Sequence, residues 1–518
     1  MNAFRKNLAL SACMVALPAY VFADQVTVSS PDGSITITGE LVSFDETTLV
    51  LNSDIGELQL SRQTTICEGE ACPGGLEGLE IRVAVNDADT GALLRSLANG
   101  YAETQNQVGL TFPDDQGNVA RVELRDTSMT DVEGEVTLTY QAGAAAFQTL
   151  VAGTVDVNMT TTAVPAAVAE QVVSAGQVDL RDPQRERVVA LDALVPVVHP
   201  DNPVRSVSLE ELAQIAAGRI RNWSEIGGEN EPIRMLLPAE GTALDNAFTE
   251  LVLDPNRVRL RRSAERAESE SQAATTVAAD ESAITVTSLS GSGDADVLPI
   301  RQSCGPLAYA SNFAIKAEEY PLSQRVYAYT ADAEMTAPQS NFFDFVASAS
   351  AQPLIEEAGY VDLSIEPQPI SLQGTRMTSA ILSAGSGGTL DLVQRFAQDL
   401  ATADRLSTTF RFTSGSARLD SRSQGDVQRM VSYLSGEEAR NREILVIGFT
   451  DDVGRFDLNE RLALRRATSV RDALVGSLGG DALAGRISVS SYGPLAPVGC
   501  NDTADGRESN RRVEIWLQ

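Results

Sequence analysis

Between residues 78 and 365, short apolar segments of strand length alternate with helical segments. Residues 81–85 have the pattern of a strand, and residues 92–101 have the pattern of the helix that follows it. Residues 188–198 are almost continuously apolar, as in a strand that is buried on both faces. Strands that alternate with helices predict an α/β fold, and we expect a mainly parallel sheet.

Residues 24–75 have a different pattern, in which apolar and polar residues alternate between turn sequences. This period of two predicts a small antiparallel β-module. Cys67 and Cys72 flank a short glycine-containing segment, which predicts a local disulfide in an oxidising compartment. Cys304 and Cys500 are far apart in sequence, so they are either buried free thiols or a bridge between domains.

The first 23 residues have the pattern of a secretory signal peptide. Arg5 and Lys6 precede an apolar stretch at 8–19, and small residues follow up to Ala23. We therefore expect cleavage before Asp24 and a periplasmic location.

The composition excludes several classes of function. The formal charge is 40 − 71 = −31, and such an acidic surface repels nucleic acids. His199 is the only histidine, which excludes multi-histidine metal sites. The sequence has no phosphate-binding loop, dinucleotide fingerprint, zinc signature or activated serine. We expect no metal, no cofactor and no enzymatic activity.

Residues 366–405 are predicted to link two domains, because Pro367 and Pro369 open the segment and residues 383–388 are rich in glycine and serine. Residues 390–400 are predicted to be helical. From residue 406 to 518, strands and helices alternate again and predict a C-terminal α/β domain.

The most informative motif of this domain spans residues 448–474. A strand delivers Thr450 and Asp451 to a loop, and Arg466 lies within the helix that follows. A carboxylate and a guanidinium that face one cleft suit a ligand with an ammonium and a carboxylate group. The alternative is an ion pair that only orders the loop.

Residues 407–518 resemble the OmpA-like peptidoglycan-binding domain. The resemblance rests on residues 412–417, on the 448–474 motif and on the block from Asn501 to Glu514, which includes Asn510-Arg511-Arg512-Val513. It implies that Asp451 and Arg466 grip the diaminopimelate of the peptidoglycan stem peptide. It also implies that three further residues shape the pocket, namely Thr450, Asn459 and Leu462.

Residues 78–365 resemble the phosphate-type substrate-binding proteins of ABC transporters, which have two α/β lobes and a hinge. The resemblance rests on residues 152–160, 197–203 and 209–224, with further matches at 320–322 and 343–345. It implies a small anionic solute and an ABC transporter permease as partner.

Such proteins hold oxyanions through backbone N–H groups and hydroxyls at helix N-termini. Three loops offer these groups, and their candidate residues are Thr90, Gly91, Thr160, Thr161, Thr162, Gly241 and Thr242. The third loop lacks the arginine of phosphate binders, and all these hydroxyls could instead cap helices. The sequence thus predicts a peptidoglycan-anchored protein that binds phosphate or another small oxyanion for uptake or sensing. The alternative is a structural envelope protein whose central domain has lost solute binding.

Overall fold

The computed structural model describes residues 25–518 with gaps at 30–35, 45–47, 54, 62–65, 69–77, 115–118, 142, 262–263, 331–334, 375–377, 379, 382–389, 413–418, 420 and 478. The signal peptide, the Cys67–Cys72 bridge and the glycine-serine segment at 383–388 fall outside the described residues. The chain divides into two compact units, Met1–Gly78 and Leu79–Gln518. Within the described part of the chain, no helix is long and apolar enough to span a bilayer.

The first unit contains a five-stranded antiparallel sheet, as the alternating sequence pattern predicts. Its strand order is β4-β3-β2-β1-β5. The strands are β1 (Gln25–Ser29), β2 (Thr36–Phe44), β3 (Thr48–Ser53), β4 (Gly56–Ser61) and β5 (Ile66–Glu68). Val26, Val28, Leu49 and Leu51 form its small core.

The second unit begins with an α/β domain of two lobes. Its strands are β6 (Glu80–Val85), β7 (Val108–Pro113), β8 (Val119–Arg125), β9 (Val132–Tyr140), β10 (Val157–Thr160), β11 (Glu186–Val198), β12 (Arg234–Leu237), β13 (Glu265–Arg266), β14 (Ala283–Ser288), β15 (Asp296–Val297), β16 (Ile300–Arg301), β17 (Leu307–Ala308) and β18 (Ser323–Thr330). Its helices are α1 (Ala88–Thr104), α2 (Ala144–Val151), α3 (Ala166–Ser174), α4 (Leu209–Ala216), α5 (Ala243–Phe248), α6 (Glu270–Ala278), α7 (Asn312–Lys316), α8 (Ala337–Ala347) and α9 (Gln352–Glu357).

Two long strands, β11 and β18, run through both lobes. The core of the first lobe draws on residues 79–190 and 326–360, and the core of the second lobe lies mainly within 191–322. β11 pairs antiparallel with β18 and then with β14, and β18 pairs antiparallel with β10. The prediction of a mainly parallel sheet is therefore wrong. The sheet is mixed because the chain crosses between the lobes in opposite directions.

The C-terminal domain has a five-stranded sheet of order β19-β20-β23-β21-β22, in which β21 and β22 are parallel. Its strands are β19 (Pro367–Pro369), β20 (Asp404–Arg411), β21 (Ile444–Phe449), β22 (Ile487–Gly493) and β23 (Arg512–Leu517). Its helices are α10 (Leu390–Leu400), α11 (Ser421–Ser435), α12 (Phe456–Gly476) and α13 (Ala504–Asn510). The segment predicted as a linker thus contributes an edge strand and a helix to this domain, because β19 pairs with β20.

Candidate functional site

The C-terminal site is built where β21 ends and α12 begins. Gly448 lies so close to this helix that an added Cβ would be 2.1 Å from the carbonyl oxygen of Ala463. Only glycine permits this approach, which brings the loop at 450–455 against the first turns of α12. The Asn459 side chain fixes the loop by donating to the carbonyl oxygens of Asp451 at 3.3 Å and Val453 at 3.1 Å.

Asp451 is a partly exposed carboxylate at the opening of this site. One of its oxygens accepts the N–H of Val453 at 3.1 Å, and the other accepts from Nη1 of Arg511 at 3.0 Å. Its side chain is 14% exposed and that of Arg511 is 21% exposed. The direct ion-pair partner of Asp451 is thus Arg511, on the strand side of the domain, and both groups are accessible to a ligand.

Arg466 lies deeper and is buried on α12. Its guanidinium carbon is 5.3 Å from the centre of the Phe412 ring, within range of a cation–π interaction. Burial first, and then the positive charge of Arg511, lower the pKa of Arg466, while Asp451 opposes this shift. Asp451, Arg466 and Arg511 together carry one excess positive charge, which a ligand carboxylate would neutralise.

The remaining predicted residues surround these charges. Asn459, Leu462 and Arg466 lie three and four positions apart, so they share one face of α12. Thr450 is buried beside the loop, and its hydroxyl oxygen has no hydrogen-bond partner in the described structure. An unpartnered buried hydroxyl is costly, and a ligand group would satisfy it. The structure therefore brings the predicted residues together, and their binding role remains a prediction.

Arg511 is the residue that the sequence reasoning missed. It belongs to an Arg-Arg pair whose second member, Arg512, is fully buried. Arg512 donates to Glu514 at 2.6 Å and stacks over Phe449 at 4.2 Å. The Arg-Arg pair could have indicated this role in the sequence, because neighbouring side chains at a strand lie on opposite faces. One arginine can then support the sheet while the other faces the loop.

In the central domain, a cleft of about 730 Å³ lies between the lobes. Residues 87–89 line it from the first lobe, and residues 238–294 contribute its second-lobe wall. Among the described lining residues there is no lysine or arginine, and five are acidic: Asp87, Asp89, Glu268, Glu270 and Asp294. The cleft is therefore strongly negative, unlike a site that neutralises a free oxyanion.

In the first two predicted loops, the N–H groups of Thr90, Gly91 and Thr162 are already engaged. Asp87 accepts from the N–H of Thr90 at 2.8 Å, and its carbonyl accepts from Gly91 at 3.1 Å. In the second loop the hydroxyl of Thr160 accepts from the N–H of Thr162 at 3.1 Å. Asn86, which the sequence reasoning did not single out, joins the loops through Oδ1 to Thr90 and Nδ2 to Thr161.

The N–H groups of the third loop also donate to other groups of the chain itself. The N–H of Gly241 donates to Asp245 at 3.0 Å, and the N–H of Thr242 donates to the carbonyl of Ala239 at 3.3 Å. Thr242 also caps α5 through its hydroxyl. Thr242 lines the cleft. Carboxylates of the chain itself thus stand at two of the three positions where an oxyanion was predicted.

Two aspartates at or near the cleft, Asp89 and Asp192, have raised pKa values. Desolvation, followed by the charges of Asp87 and Glu270, raises the pKa of Asp89 to about 6. Asp192 lies on β11, one of the two strands that run through both lobes. Desolvation raises the pKa of Asp192 to about 8, with smaller contributions from Glu270 and Asp87, against the opposing hydrogen bond from the N–H of Ala193. Asp192 is therefore mainly protonated near pH 7, whereas Asp89 is mainly ionised there and takes up its proton near pH 6.

His199 lies close to Asp201 and Glu281, with one possible ligand atom from each residue within 4.8 Å of the others. The N–H of Asp201 donates to Nδ1 of His199 at 3.1 Å. This hydrogen bond engages Nδ1, so that nitrogen is not free to bind a metal. Both carboxylates are exposed. The group has the features of a hydrogen-bonded turn.

Comparison with known proteins agrees with this architecture. A PBP superfamily domain matches residues 126–350, and the OmpA family matches residues 411–511. The chain is 32% identical to the Escherichia coli protein YfiB over 112 residues, which are 22% of this chain and 68% of that protein. The chain therefore belongs to the OmpA family through its C-terminal domain, which follows a domain that matches the PBP superfamily model.

The central domain has relatives of its own. The chain is 23% identical to the phosphate-binding protein PstS of Borreliella burgdorferi over 194 residues, 35% of this chain and 66% of that protein. A phosphate transport receptor from Vibrio cholerae superposes with a TM-score of 0.41 at 20% identity, over 54% of this chain and 99% of that one. The chain spans 33% and 46% of the length of the first two curated relatives that it matches. These families comprise binding proteins and envelope proteins.

Proposed function

We propose that this protein is exported to the periplasm and held at the cell wall by its C-terminal domain, which binds the diaminopimelate of the peptidoglycan stem peptide. The observation that carries the proposal is the accessible Asp451 carboxylate beside two guanidiniums, those of Arg466 and Arg511. The proposed domains are a signal peptide at 1–23, a β-module at 24–75, a binding-protein-like domain at 78–365 and the wall anchor at 406–518, to which the segment at 366–405 contributes an edge strand and a helix.

The charges of the site match the amino-acid end of diaminopimelate. Asp451 attracts its ammonium, and Arg466 and Arg511 offer forked donors to its carboxylate. Thr450 supplies a further hydroxyl whose hydrogen-bonding capacity is unused. The outer-membrane relatives of the C-terminal domain support a location in the envelope.

Co-sedimentation with purified peptidoglycan sacculi tests the anchor. We expect Asp451→Ala and Arg466→Ala to abolish sedimentation, because the first change removes the acceptor for the ligand's ammonium group and the second removes a forked donor to its carboxylate. Arg461→Ala is the matched control, since this arginine is exposed on the same helix and pairs with Asp457. Sedimentation of both site variants at the level of the control would refute the anchor.

For the central domain, the similarity to PstS supports capture of phosphate or another small oxyanion, for ABC-type uptake through a permease or for sensing. The acidic cleft favours a second candidate, an envelope structural or interaction protein whose central domain no longer takes a free oxyanion. In either case we propose that the protein has no enzymatic activity.

Calorimetry with inorganic phosphate, in buffer stripped of phosphate, separates the two candidates. Phosphate binding predicts heat at micromolar concentrations, whereas the second candidate predicts none at millimolar concentrations. Asp89→Asn is the informative variant, because it removes one cleft carboxylate. If phosphate is the solute, the variant binds it more tightly, since less negative charge opposes the anion.

A further inference from the structure

The central and C-terminal domains are joined covalently at a point far from their connecting segment. Cys304 and Cys500 form a disulfide across 196 residues of sequence, with their Cα atoms 5.7 Å apart. Cys304 lies between β16 and β17 of the second lobe, and Cys500 lies in the loop that precedes α13. Of the two alternatives that the sequence left open, the structure has the bridge between domains.

Hydrogen bonds surround this bridge. The side chain of Gln302 donates to the carbonyl of Val498 at 3.4 Å, and the hydroxyl of Ser303 donates to Asp502 at 2.9 Å. Asn510 holds the same loop from within its own domain by accepting from the N–H of Val498 at 2.8 Å. Hydrogen bonds as well as the disulfide therefore join the two segments.

A second attachment lies at the end of α7. Arg411 of β20 donates to the carbonyls of Ala317 at 3.1 Å and Glu318 at 2.8 Å, and Arg422 of α11 donates to that of Lys316 at 2.6 Å. The last carbonyls of a helix lack partners within the helix and carry partial negative charge, so arginines from the other domain cap this one.

The side chain of Glu318 strengthens the second attachment. It pairs with Arg411 at 2.8 Å, Arg422 at 2.5 Å and Arg325 at 2.5 Å. Burial alone would raise the pKa of Glu318, but the three arginines hold it well below its usual value. The neighbouring Glu319 pairs with the fully buried Arg405 of β20 at 2.5 Å.

All these contacts with the C-terminal domain come from residues 302–319, within the second lobe. β11 and β18, which run through both lobes, connect this lobe to the first. We propose that the second lobe and the C-terminal domain move as one body, fastened by the disulfide and by the capped end of α7, so that cleft closure moves the first lobe relative to the wall. This inference rests on the proposed function for its reference to the wall.

Distance distributions in the full-length protein test the inference. Noncanonical amino acids that carry spin labels are introduced at three exposed positions: Glu103 in the first lobe, Glu229 in the second lobe and Asp481 in the C-terminal domain. We expect a single narrow distribution for the 229–481 pair and a distribution at least twice as broad for the 103–481 pair. Equal widths for the two pairs would overturn the single-body arrangement.

A double substitution, Cys304→Ser with Cys500→Ser, tests the role of the disulfide. We expect it to broaden the 229–481 distribution and leave the internal 103–229 distribution unchanged. An unchanged 229–481 distribution would show that the disulfide does not fasten the two domains. Sedimentation with sacculi is measured on the same samples. If the unsubstituted protein does not bind sacculi, the proposed function is refuted. The distance result does not depend on that outcome.

Discussion

Three carboxylates illustrate how local surroundings decide the role of a single residue. Glu318 is surrounded by arginines, which hold its pKa well below the usual value. Asp451 has one arginine partner and remains accessible to a ligand. Asp192 accepts the N–H of Ala193, and desolvation, with a smaller effect of nearby carboxylates, raises its pKa to about 8.

Asp192→Asn is expected to stabilise the protein at alkaline pH. The folded-state pKa of Asp192 lies above its unfolded value, so its favourable contribution is complete below pH 4 and is lost as the pH rises through 8. The asparagine keeps the acceptor for Ala193 and never ionises. Thermal melts from pH 5 to 8.5 should show a growing advantage of the variant that exceeds about 1 kcal/mol at the alkaline end.

The control for this experiment is Asp254→Asn, which changes an exposed aspartate of the same lobe. Its melting temperature should follow that of the unsubstituted protein at every pH. A pH-independent offset for Asp192→Asn would contradict the ionisation argument.

Thr450→Val separates binding from stability. Because the hydroxyl has no hydrogen-bond partner in the described structure, its removal should leave the free energy of unfolding unchanged within about 0.5 kcal/mol or raise it. Sacculus binding should fall about tenfold, the effect of one lost hydrogen bond of about 1.4 kcal/mol. Urea unfolding and a sedimentation titration measure the two quantities. Thr468→Val, on α12 with its hydroxyl bonded to Leu464, should retain binding.

At the scale of elements, the position of the loop depends on how closely β21 packs against α12. The succession of strands and helices in this domain could be predicted from hydrophobic periodicity alone. Strand direction could not, because an apolar run such as β11 has the same pattern whether its neighbours are parallel or antiparallel. The pairing of β19 with β20 could not be predicted either. Prolines usually indicate a break in regular structure, but they are also compatible with an edge strand.

Gly448→Ala is expected to destabilise the C-terminal domain by about 1–3 kcal/mol, because the new methyl group would collide with the backbone of Ala463. Gly425→Ala is the matched control. It lies within α11, where an added Cβ has no atom nearer than 3.9 Å, so we expect stabilisation by about 0.5–1 kcal/mol. Urea unfolding of both variants measures the difference. Equal effects would show that the close approach does not set the packing.

At the scale of the whole molecule, the sequence offered a bridge between the central and C-terminal domains as one of two alternatives for Cys304 and Cys500, and it gave no sign of the ion pairs between them. Glu318 and its partners in the C-terminal domain, Arg411 and Arg422, are about 100 residues apart, and no periodicity connects them. The scaffold of the binding site was predictable because its residues lie within one short motif, 448–474. Arg511 and the acidic cleft were not, because they depend on which distant side chains the fold brings together.

Acid should loosen this interface. The folded-state pKa of Glu318 lies well below its unfolded value, so its contribution is complete above pH 4.5 and is lost as the pH falls through the depressed pKa. We expect Glu318→Gln to lower the stability by about 3–5 kcal/mol at pH 7, since it strands buried guanidiniums. The gap to the unsubstituted protein should shrink below pH 4 in thermal melts. A constant gap down to pH 2 would contradict this account.

The arginine caps on α7 also constrain the order in which the chain completes its folding. Arg411 follows Glu318 by 93 residues, so a chain that emerges from its amino end exposes the end of this helix long before its partners arrive. During that interval Glu318 has only Arg325 of its three arginine partners, and the carbonyl oxygens at the end of α7 are left to water. We therefore expect the second lobe to complete its packing only after the C-terminal domain has folded, so that deletion of this domain would destabilise the lobe as well.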